Sequence, residues 1–90
     1  MAYEAGELAK PVELPPMLMT AEDMYRLGIA YSIGQDVDAD LVAAHKWFNL
    51  AVIKGFADAR TYRSEIAQQL SSAELANAQR AAREWLKSAN

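Results

Sequence analysis

A chain of 90 residues with 52% hydrophobic side chains is the size and composition of one small folded domain, and it argues against a disordered chain. The absence of cysteine excludes disulfides, thiolate metal sites and a thiol nucleophile, and a single histidine, His45, excludes a multi-histidine zinc site. The net charge of −3 is unevenly spread: residues 1–40 carry eight acids against two bases (−6), and residues 41–90 carry four acids against seven bases (+3).

An acidic first half disfavours nucleic acid, whose binding rests on phosphate neutralisation. The asymmetry reads first as two solvated faces of opposite sign, with head-to-tail contact between halves or between chains as the alternative. No apolar run is long enough for a membrane span. The opening MAYEAGELAK is acidic where a secretory signal is basic, so the expected compartment is the cytoplasm.

Residues 1–19 hold all three prolines, Pro11, Pro15 and Pro16, and no helical stripe, which predicts an extended arm. Leu8, Val12, Leu14, Met17, Leu18 and Met19 are poorly suited to a free tail. The arm therefore either packs over the open end of the helices or docks on a partner.

The remainder, 20–90, reads as a helical domain with helices at about 20–33, 40–54, 56–70 and 72–88. Thr20-Ala-Glu-Asp23 resembles a capping box, and Glu22 and Asp23 suit the positive end of the helix dipole. Met24, Leu27, Gly28 and Tyr31 fall on one helix face, while Tyr25 and Ile29 lie on a second. Gly28 costs about 1 kcal/mol of propensity relative to alanine, acceptable where it admits a neighbouring helix. Gly34 is placed to end the helix.

Asp36, Asp38 and Asp40 alternate as in a calcium loop. The glycine and glutamate that such a loop needs are Leu41 and Trp47 here, so they read as turn and cap residues, with Asp40 or Asp38 as the cap.

In the second helix Leu41, Ala44, Trp47, Phe48, Ala51 and Val52 make a wide apolar stripe, ended by Gly55. His45 lies off that stripe and reads as a solvated residue. The apolar stripe of the third helix, its expected core side, is Ala59, Tyr62, Ile66 and Leu70. Ser71-Ser-Ala-Glu74 is a full capping box opening a fourth helix whose inward side is Leu75, Ala78, Ala82, Trp85, Leu86 and Ala89.

Ala44-His-Lys-Trp47-Phe48-Asn-Leu-Ala51 and Ala82-Arg-Glu-Trp85-Leu86-Lys-Ser-Ala89 share the pattern Ala-x-x-Trp-apolar-x-x-Ala, 38 positions apart. That period is typical of helical-pair solenoids. The predicted fold is all-α: two stacked antiparallel helical hairpins, a short α/α solenoid, with the arm in front. Leu27, Gly28, Tyr31, Gly34, Val37, Asp40, Ala44, Trp47, Phe48, Ala51, Gly55 and Ala59 fall in the order and spacing of a Sel-one-like repeat, a relative of the tetratricopeptide repeats, and the chain resembles that family over residues 27–59. It departs from the pattern at Asp36 (glycine in the family), Ala43 (lysine) and Val52 (alanine). A second unit is degenerate, with Arg63-Ser64 in place of Leu-Gly and Ala67 in place of tyrosine.

The resemblance implies a scaffold that binds protein or peptide partners and has no chemistry of its own. The residues themselves offer no paired carboxylates on an apolar face, no Ser/His/Asp triad and no phosphate loop, so neither catalysis nor a metal or cofactor is expected. In such solenoids the first helix of each unit lines the concave face. This makes Tyr25, Ile29, Arg60 and Arg63 the candidate partner-binding residues; the alternative for Tyr25 and Ile29 is contact with the arm. A self-associating structural module, a weak homodimer, or an accessory subunit of an enzyme or assembly complex is the alternative function, because two units are fewer than the usual three.

Overall fold

The computed structural model describes residues 13–89, and the chain there is all-α. The expectation for residues 1–12 lies outside the described residues. Helix α1 spans Ala21–Ile33, α2 Leu41–Ile53, α3 Ala59–Gln69 and α4 Ser72–Ser88. Ahead of them Pro16–Leu18 forms one 3-10 turn rather than a fully extended arm, because the fixed φ of Pro16 suits a first helical position. Within 13–19 only Met19 packs on the core; Leu14 and Leu18 are exposed and Met17 is 87% exposed. Glu13 nonetheless lies close enough for its charge to act on Tyr31, whose phenol is pushed above its ordinary value first by burial and then by Glu13 and Asp40.

The helix ends follow local chemistry. Thr20 Oγ1 accepts from Asp23 N at 3.0 Å while Asp23 Oδ2 accepts from Thr20 N at 2.9 Å, a reciprocal capping box with the shorter acid. Ser71 and Glu74 make the same pair at 3.1 and 2.8 Å. Asp40 is the cap of α2, its Oδ1 accepting from Ala43 N. Gly34, at φ 74°, ends α1, and the N–H groups of Gly34 and Gln35 both return to the Ala30 carbonyl. After α2, Gly55 turns at φ 106° and the N–H groups of Gly55 and Phe56 close on Val52 O and Ala51 O, a Schellman motif. That turn sets α3 back to Ala59, three residues later than the apolar spacing alone suggests, and leaves Phe56 in the link between helices.

Packing is organised around α2. Its close helix partners are α1, α3 and α4. A close α3–α4 pair, as a second hairpin would have, is not among the helix packings of the described residues. Each instead docks on α2. Three-sided contact explains why α2 buries more than its apolar stripe: Ala44, Trp47, Phe48 and Ala51, but also Leu50 and His45. The helix is apolar nearly all round, as a central helix must be. Trp47 meets Trp85 of α4 edge to face, with ring centroids 6.0 Å apart, so the two tryptophans of the sequence echo touch across the fold.

The tightest contact is between α1 and α2. A Cβ placed on Gly28 would lie 2.6 Å from the Phe48 ring. The ring occupies the space that any other residue at 28 would need, and Phe48 is itself fully buried.

Alanine at an open helix position improves on glycine by about 1 kcal/mol. At position 28 that gain is outweighed by overpacking, which costs about 1–3 kcal/mol. Gly28→Ala is therefore expected to destabilise the domain by about 1 kcal/mol net, lowering the thermal midpoint by roughly 4–8 °C in a circular-dichroism melt. A raised midpoint would show that the ring can move aside.

Candidate functional site

Phe48 has a second consequence. One side of its ring meets Gly28, and the ring also stacks nearly parallel on Tyr62 of α3, at 5.4 Å and 20°. Tyr25 of α1 joins from above, with centroids 6.0 Å from Phe48, 5.5 Å from Tyr62 and 4.8 Å from Phe56. Four rings from α1, α2, the α2–α3 link and α3 thus form one cluster. Such tilted and stacked pairs each add about 0.5–1.5 kcal/mol beyond area burial.

The cluster is buried at Phe48 and open at Tyr62, which is 39% exposed. At that open edge lies a groove lined by Tyr25, Ala57, Asp58, Thr61, Tyr62 and Glu65. Asp58, just before α3, and Thr61, Tyr62 and Glu65 on it fall at helical spacing on one face, with the phenol of Tyr25 opposite. The Tyr25 hydroxyl is pushed above its ordinary value of 10.0 chiefly by the neighbouring Tyr62 hydroxyl, then by burial and by the charges of Tyr62 and Asp58.

The residues expected to bind a partner divide. Tyr25 is partly buried against aromatic side chains of α2, α3 and their link, and it edges the groove. Ile29 is partly buried and packs on the core. Arg60 is exposed on α3 but does not line the groove. Arg63 turns to α2, its Nη1 donating to Asn49 Oδ1 at 2.8 Å, which ties α3 to α2. Tyr62, read as core, is the groove's exposed wall. Asp58, Thr61 and Glu65 carried no apolar signal; their shared face was there in the i, i+3, i+4, i+7 spacing.

His45 overturns its expectation. It is only 4% exposed rather than solvated, because α2 is covered on more than its apolar stripe. It sits one turn before Asn49, and Arg63 reaches across from α3. Its Nδ1 is buried with no hydrogen-bond partner. Burial, reinforced by the Arg63 charge, holds the imidazole below its ordinary 6.5, in the neutral form.

Comparison with protein-family models, with curated proteins and with solved structures finds no match for this chain.

The histidine makes stability depend on pH. The folded-state value is depressed, so between it and 6.5 the unfolded chain binds more protons than the folded one. Stability is full above pH 6.5 and falls as pH drops through 6.5 towards the folded-state value. Urea titrations between pH 7.5 and 5, above most carboxylate titration, are expected to show that decline in the native chain and a flatter profile in His45→Gln. Equal slopes would place the protonation elsewhere.

Proposed function

We propose that this chain is a non-enzymatic interaction module of the Sel-one-like repeat type, holding a protein or peptide partner on the face that α1 and α3 share. The observation that carries the reading is the groove at the edge of the aromatic cluster. Tyr25 and Tyr62 are held by other rings, so a partner meets aromatic surface whose ordering is already complete. Aromatic side chains at half-buried positions are frequent hot spots of protein recognition. The repeat reading is supported by the contact between Trp47 and Trp85, which carries the 38-residue echo into the packing of α2 on α4. Tyr25 keeps its place in the proposed binding face and Tyr62 joins it, while Ile29 and Arg63 become packing residues that support it. Arg60 stays an exposed candidate on the same helix.

A self-associating module is the second reading, favoured by the exposure of Met17, Leu18, Ile33 and Ile53. A short solenoid buries such end residues against a further unit or a second copy.

The two separate in a photocrosslinking experiment. A benzoylphenylalanine replaces Thr61 at the groove or, as control, Arg83 on the exposed side of α4. In lysate from the source cells, the interaction module predicts a discrete adduct from position 61 and none from 83. Adducts of equal yield from both positions, or none from 61, would sink the assignment of the face. An adduct of twice the chain mass in purified protein would select the self-associating reading.

A further inference from the structure

The caps of the four helices are not alike. Thr20, Asp40 and Ser71 each turn a side-chain oxygen back onto a first-turn N–H, at 3.0, 3.0 and 3.1 Å. Asp58 stands in the same position before α3 and makes no such bond. Its backbone is helical, at φ −61° and ψ −23°, rather than extended like the other caps, and the residue lines the groove instead. Glu65, two turns along α3, lines it too. Among the described residues the ion pairs are those of Arg26 with Glu22 and Asp23 on α1, and neither groove carboxylate is ion-paired to a described lysine or arginine.

Two carboxylates with no ion pair among the described residues therefore share a groove with the rings of Tyr25 and Tyr62. A carboxylate recognises an ammonium or guanidinium group through charge-assisted hydrogen bonds. An aromatic wall adds attraction for the same cation and covers the methylene stem that carries it. An acidic peptide would meet repulsion here, and so would a nucleic-acid backbone.

We infer that the groove receives a lysine or arginine side chain from a basic segment of the partner protein. The inference rests on the interaction-module reading and supplies the chemistry of its partner. The stem of the basic side chain lies against Tyr25 and Tyr62, and its head takes Asp58 or Glu65, the two carboxylates standing two turns, about 10 Å, apart along the helix. Thr61, between the two acids on α3, offers a hydroxyl as a further acceptor.

The test uses the full chain, labelled with 15N, and two capped peptides: one alternating lysine with alanine, the other alternating glutamate with alanine. Addition of the lysine peptide is expected to shift the amides of Tyr25 and of residues 57–65 saturably, and the glutamate peptide to leave them in place. The double variant Asp58→Asn, Glu65→Gln, which preserves side-chain size at exposed positions, is expected to bind the lysine peptide at least about tenfold more weakly. Its circular-dichroism spectrum reports that it folds.

Lysine-peptide shifts of equal affinity in the double variant, or shifts centred on the Asp36–Asp40 turn, would overturn the inference. So would concentration-dependent groove shifts without peptide, which assign the groove to a second copy. The lysate crosslink at Thr61 separates this inference from the reading beneath it. A crosslink that persists undiminished in the double variant keeps the interaction module and overturns the basic occupant. A lysine peptide that binds only the native groove, with no lysate adduct, upholds the chemistry and overturns the module.

Discussion

The close approach of Gly28 to Phe48 is the constraint on which the rest of the domain depends. It draws α1 onto α2 until no side chain fits between them, and it fixes the plane of a buried aromatic ring. Once that ring is fixed, its free side is available to α3, where Tyr62 stacks on it, and its edge to Tyr25. The glycine weakens the isolated helix by about 1 kcal/mol, and the burial it allows more than offsets the loss. The same ring, buried beneath the groove, packs against Tyr25 and Tyr62, which line it. Stability and the support of the proposed binding surface therefore meet at one buried residue, Phe48, and a change there disturbs both.

Helix α2 carries this arrangement outward. It packs with α1 through Phe48, with α4 through Trp47, and with α3 through Phe48 and the Asn49–Arg63 hydrogen bond. A helix covered on several sides must bury positions that a one-sided amphipathic helix would leave in water. Leu50 is buried cheaply there. His45 is not: it gives up hydration on Nδ1 and faces a cation, so it stays neutral and makes the core sensitive to acid. Around this hub α3 and α4 behave as separate additions, each held mainly by α2.

What could be read from the sequence was what is decided locally. Thr20, Asp40, Ser71, Gly34 and Gly55 each act within a few residues of backbone, and each does in the fold what its chemistry predicts. The apolar stripes of α1 and α2 were legible for the same reason, as was the tolerance of a helical glycine where a neighbour comes close. The misreadings have one cause. A stripe names the principal buried face of a helix and is silent about a second or third neighbour, so it marks neither the burial of His45 nor the turn of Arg63, a candidate for partner binding, onto Asn49. Tyr62 lay on a stripe and passed for core, although it is the rim of the groove. The start of α3 was masked by Phe56, an apolar residue that serves the aromatic cluster from outside any helix. The polar half of the groove had no hydrophobic signal to mark it.

The central claim is that α2 is the shared core helix and that α1, α3 and α4 depend on it. Native-state amide hydrogen exchange tests this directly, because each helix reports the free energy of the opening that exposes it. The account predicts that the amides in the middle of α2 exchange most slowly, through global unfolding alone, while those of α3 and α4 also exchange through smaller openings. Amides of α4 or α1 that outlast those of α2, or α2 amides that exchange by local opening, would contradict it.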